Sequence, residues 1–163
     1  MFKRLQTTLK GIKRVLLEDE QIRKLLYNDS NNALGLAAPA KEQVSKYITT
    51  HPIYEFEGRD DYTQQGMINC FISDSEPDDE IKVTDSILRI NVVFNVDKWE
   101  LIDGSCRVLT LCERIIELVD NKKFSISNPI SYNSLTELIL SKKLVGYALL
   151  FNLTDGNSEL ENF

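Results

Sequence analysis

A single histidine limits what this sequence can do chemically. His51 would have to serve as the base for any serine or cysteine nucleophile, and no nucleophile-elbow or other local signature accompanies it. A metal site built on it would join His51 to Asp60 and Asp61. Because it stands directly before Pro52 at an expected helix end, His51 reads more simply as a surface or capping residue. Carboxylates are the other candidates. Asp74, Asp78, Asp79 and Glu80 have the oxygen-rich look of a weak calcium site, but the segment lacks the spacing, central glycine and closing glutamate of an EF-hand loop. Together with Glu76 they place five carboxylates in the eight residues from Ser73 to Glu80, a self-repelling composition that predicts an exposed loop. In such a setting water keeps their acidity ordinary, so a raised-pKa acid–base pair is not expected.

The remaining chemical signals are weak. The seven glycines, at 11, 35, 58, 66, 104, 146 and 156, are too scattered for a phosphate-cradling loop. Cys70, Cys106 and Cys112 are odd in number and show no C-x-x-C spacing, so they read as small buried hydrophobes. Trp99 and Tyr132 fit either interface anchors or lids over a core. No cofactor, metal or catalytic residue is therefore expected.

The elements that carry these residues are clearer than the chemistry. Leu88, Ile90, Val92, Phe94 and Val96 alternate with mostly polar neighbours, which predicts a strand with one buried face. Asp103-Gly104 breaks that pattern. From Ser105 to Asn121 the apolar residues Val108, Leu111, Cys112, Ile115, Ile116, Leu118 and Val119 recur at helical spacing. The chain opens with another such stripe, Phe2, Leu5, Leu9, Ile12 and Leu16, flanked by Lys3, Arg4, Lys10, Lys13 and Arg14. Asp19 can cap a second short helix carrying Ile22, Leu25 and Leu26, and the pattern fits one bent helix equally well. Pro39 opens a third, with Val44, Tyr47 and Ile48 on one side.

Short strands are expected at Ile53–Glu57 and Met67–Ile72, with Ile81–Val83 leading into the central strand through a bulge near Asp85-Ser86 or forming a separate one. Leu135, Leu138 and Ile139 fit a helical turn as well as a strand. In the last apolar run Val145, Tyr147, Leu149, Phe151 and Leu153 share one face, and Leu144, Gly146, Ala148 and Leu150 the other. Both faces are apolar, as in a central strand or one covered by a neighbouring chain.

The 163 residues suit one domain over 1–153 with a polar tail at 154–163, and the fold expected is α/β (α+β). It combines a mixed or antiparallel β-sheet, a helix packed across it and an N-terminal amphipathic helix. Apolar residues at 42% and charged residues at 27% are those of an ordinary globular chain. No apolar run is long enough to span a bilayer, so no membrane partner is expected. The early positive charge recurs through Lys10, Lys13 and Arg14 without a continuous apolar core, which implies a protein used without export. A net charge of −6 argues against a general nucleic-acid binder.

The order of these parts resembles the tail-terminator or tail-completion proteins of tailed bacteriophages, sometimes grouped with head–tail connector proteins. The resemblance rests on the amino-terminal amphipathic helix ending in Ile22, Leu25 and Leu26, the polar loop, and Leu88-Arg89-Ile90-Asn91-Val92-Val93-Phe94. It continues through the helix at 105–121 and Val145-Gly146-Tyr147-Ala148-Leu149-Leu150-Phe151 before Asp155-Gly156. It implies a structural protein of the virion neck, assembled in the host cytoplasm. Such a protein forms a homo-oligomeric ring, commonly of six subunits, that contacts the tail tube and head-completion or connector proteins. DNA would pass through without specific binding, and no reaction would be catalysed. Under this resemblance Asp74, Glu76, Asp78, Asp79 and Glu80 belong to the lumen or a docking loop. Phe2, Leu5, Leu9, Tyr147, Leu149 and Phe151 would serve inter-subunit contact or packing. Three other readings stay open: another neck or tail-tube protein, a small acidic monomeric adaptor or inhibitor of a host protein, and an enzyme of unrecognised type.

Overall fold

Helical periodicity at the amino terminus produces α1 (Phe2–Glu18), which buries Leu5, Ile12 and Leu16. The computed structural model describes residues 2–52, 66–78, 83–126 and 128–156. Asp19 ends α1 and caps α2 (Glu20–Tyr27), its carboxylate accepting from the Ile22 N–H at 2.9 Å. Arg23 of α2 reaches back to donate to Leu17 O at 2.7 Å and Glu18 O at 3.0 Å. Carbonyls that the last turn of α1 leaves without intrahelical partners are thereby satisfied. The two helices are thus separate, and the bend between them is held from both sides.

After a turn-rich stretch comes α3 (Lys41–Val44), followed by a 3-10 turn at Ser45–Tyr47 and the short strand β1 (Ile48–Thr49). Ile48, expected on the third helix, is instead the first residue of that strand, paired with Ile68. The strand expected at Ile53–Glu57 lies outside the described residues.

β2 (Gly66–Asp78) and β3 (Val83–Asn95) form a long antiparallel pair, so Ser73–Asp78 is strand where a loop is expected, while Ser73, Asp74 and Glu76 are exposed as expected. Ser73 to Asp78 belongs to β2, and Ser75, Glu76, Pro77 and Asp78 lie opposite Ser86, Asp85, Thr84 and Val83. The acidic composition was outweighed by a partner strand that satisfies the backbone groups. Asp79 and Glu80 lie outside the described residues. The bulge expected near Asp85-Ser86 falls on the other strand, between Ile72 and Asp74.

The turn at Asp103-Gly104 has Gly104 at φ 80°. Asp103 accepts from both the Ser105 N–H (3.0 Å) and the Ser105 hydroxyl (2.6 Å), which hold its carboxyl below the usual carboxylate range. α4 (Arg107–Val119) follows, burying Val108, Leu111, Cys112, Ile115 and Val119. The ambiguous segment around Leu135 is strand β4 (Ser131–Ile139), paired with β5 (Leu144–Gly156). β5 continues to Gly156 because Thr154, Asp155 and Gly156 pair with Asp85, Thr84 and Val83. The rest of the expected tail lies outside the described residues.

The mixed sheet runs β1-β2-β3-β5-β4, with β1 parallel to β2 and the other pairs antiparallel. Its helices cover one face. Leu88, Ile90, Val92 and Phe94 of β3 and Leu149, Phe151 and Leu153 of β5 share a core with α1, α2 and α4. On the opposite face Met67, Val93 and Leu144 form a smaller cluster with Leu138 and Leu140 that contains no helix residue. A β-carbon at Gly146 would fall 1.8 Å from Val92 O, so the close approach of β5 to β3 requires glycine there.

Candidate interaction surfaces

The structure separates the residues singled out in the sequence into core and surface. Leu5, Leu149 and Phe151 are buried in the helix-side core, and Leu9 and Tyr147 pack against it. Phe2 stands 68% exposed at the start of α1. Trp99 and Tyr132 act as lids: their rings lie 6.0 Å from Tyr147 and 5.6 Å from Phe151, and Trp99 Nε1 donates to Phe94 O at 3.4 Å. Exposed His51 places Nδ1 3.0 Å from Pro52 O, while Asp60 and Asp61 lie outside the described residues. All three cysteines are free, and burial pushes the Cys70 and Cys112 thiols up to about 12.

The bulge after Ile72 determines where the carboxylates point. Asp74 faces Ile87 across the ladder and Glu76 faces Asp85, so the three acids share the sheet face away from the helices. They border a shallow hollow of about 540 Å³ together with Ile87, Asn152 and Thr154. Asp74 Oδ1 accepts from the Ser75 N–H at 2.8 Å, and the Thr154 hydroxyl donates to Asp85 Oδ1 at 2.8 Å. No described cation forms a salt bridge with any of the three. A like-charged pair directly opposite in a ladder is destabilising, and Glu76 and Asp85 form one.

The helical side is electrostatically the reverse. Lys3, Thr7, Lys10 and Arg14 are exposed and recur on one side of α1 at four- and three-residue spacing. Among the described residues neither Lys10, Arg14 nor Lys3 has a salt-bridge partner. Arg4 turns elsewhere, its Nη1 lying 3.1 Å from Asp155 Oδ1 and tying α1 to the end of β5. A groove of about 550 Å³ beside Lys10 and Arg14 is closed by Lys123 and Phe124. Gly11 lets the Phe124 ring approach to 3.0 Å from where a β-carbon would stand.

A third surface is the sheet edge. β4 is nine residues long, terminates the strand order and carries one charged residue, Glu137. Leu135 and Ile139 are 38% and 64% exposed on it.

Sequence reasoning missed Arg107. Its side chain is fully buried, with Nη1 donating to Leu25 O at 2.7 Å and Asn28 O at 2.6 Å, and Nη2 donating to Ser30 O at 2.6 Å. The guanidinium lies 5.8 Å from the centre of the Phe94 ring. Burial pulls its pKa below the ordinary arginine range, and the Asp29 carboxylate opposes that shift. Arg107 thereby gathers the carbonyls at the end of α2 and anchors them to α4. A signal was present: a cation in the first turn of a helix opposes the macrodipole, so one placed there needs another partner.

No curated protein matches the chain. The YomW family matches residues 19–153, from the α2 cap at Asp19 through most of β5. That span takes in four strands whole, most of the fifth and the Arg107 anchor, and the chain therefore belongs to the YomW family, a phage-derived family.

Proposed function

We infer that this chain is a structural component of the phage neck: a ring that caps the tail tube, joins it to the head and lets DNA pass. It acts through interfaces, without catalysing a reaction. Phage derivation of the family supports a role in the particle. The observation that carries the reading is edge strand β4, with one charge and with Leu135 and Ile139 exposed. Edge strands of stable monomers are commonly blunted by charge, proline or brevity, because open backbone groups recruit another chain. β4 is bulged between Tyr132 and Ser134, but beyond that bulge it runs to Ile139 with one charge and no proline, which suits assembly. The surplus of carboxylates, with a net charge of −6, suits a passage that does not retain phosphate.

A cap has a consequence for assembly that genetics can read. Tube subunits would continue to add wherever an end is left uncapped. Disrupting the coding sequence in an inducible phage should yield tails of uncontrolled length alongside unjoined, DNA-filled heads. Supplying the chain from a plasmid should restore whole particles. Normal virions in its absence would overturn the reading.

A further inference from the structure

We propose that copies of this chain associate head-to-tail, with Lys10 and Arg14 of α1 in one copy seated against Asp74, Glu76 and Asp85 of the next. The proposal deepens the ring reading above and rests on it, because it names the contact between neighbouring subunits.

Three observations converge on a second copy as the occupant. The first is complementary charge on opposite faces: the basic stripe lies on the helical layer, whereas the acids lie on the face of the sheet that no described helix covers. Patches so placed favour meeting between copies, and two different patches in contact form a heterologous interface, the kind that closes rings. The second is spacing. Lys10 and Arg14 are separated by about 6 Å along a helix, and Asp74 and Glu76 by about 7 Å along a strand. The third is local cost: Glu76 and Asp85 repel across the ladder, and Asp85 has only the Thr154 hydroxyl as a described side-chain donor. A neighbouring guanidinium or ammonium in the hollow would remove that repulsion.

The test uses two variants of the full chain, Lys10→Glu with Arg14→Glu, and Asp74→Lys with Glu76→Lys. All four side chains are exposed, so each variant should retain the wild-type circular dichroism spectrum and unfolding temperature. Light scattering should return the mass of a single chain for either variant alone. An equimolar mixture should recover the wild-type assembled mass, because each contact then pairs opposite charges. Wild-type assemblies should also lose mass in 1 M salt, where the screening length falls to about 3 Å. Should either variant keep the assembled mass, or the mixture of two dissociated variants fail to recover it, this contact is wrong while the ring reading survives. A wild-type chain that stays monomeric at every concentration overturns both.

Discussion

At the scale of single residues, Arg107 is the side chain on which the helical layer most depends. Its guanidinium supplies donors to Leu25 O, Asn28 O and Ser30 O, two of them at 2.6 Å. Arg107→Ala would leave those carbonyls without the donor while opening a cavity over Phe94. The expected loss is about 3 kcal/mol, given what charged hydrogen bonds contribute and what a cavity of that size costs. Arg107→Lys should recover less than half of that, since an ammonium cannot reproduce a planar fork. Urea unfolding followed by circular dichroism measures both, and a loss below about 1 kcal/mol for the alanine variant would contradict the anchoring role. This arrangement was hard to read from sequence because the guanidinium's partners are backbone carbonyls some eighty positions earlier, and carbonyls carry no side-chain signature. Leu5, Leu149 and Phe151, by contrast, were visible as apolar positions, though periodicity alone does not separate a core residue from an interface residue.

At the scale of elements, local chemistry accounts for the helix boundaries. Asp19 both caps α2 through the Ile22 N–H and receives Arg114 Nη2 at 2.7 Å, joining the start of α2 to α4. Asp19→Asn retains a capping oxygen but loses the charge, and should cost less than about 1 kcal/mol, as a partly exposed pair is weakened by solvent. Asp19→Ala removes both and should cost about 2 kcal/mol, near the upper range for caps. Equal costs for the two variants in thermal unfolding would show that the ion pair, and not the cap, governs this junction. The sequence displayed α1, the α2 cap, β3, α4 and β5 because each has a local pattern with a clear period. It did not display the extension of β2 through Ser73–Asp78. There the composition favours solvent, but β3 supplies a ladder, and β5 extends to Gly156 beside it. That pairing is made between two segments, so the composition and period of either one alone do not register it. β4 was ambiguous for the same reason: its strand character comes from β5.

At the scale of the whole molecule, the helices leave one sheet face and one sheet edge uncovered by any described helix, and the two charge patches lie on opposite sides. The candidate carboxylates Asp74 and Glu76 acquire a common orientation only through the bulge and the strand register, information absent from their spacing in sequence. A ring explains why such features occur together, with assembly covering surfaces that a monomer would leave in water. The most direct measurement is the solution mass of the purified chain by light scattering across a range of concentrations, with negative-stain imaging of the same fractions. The ring account predicts a discrete multiple of the chain mass and closed annular particles, formed by the chain alone or on the ends of added tail tubes. A strict monomer at every concentration that ignores tubes and capsids would contradict it and favour a small acidic adaptor instead.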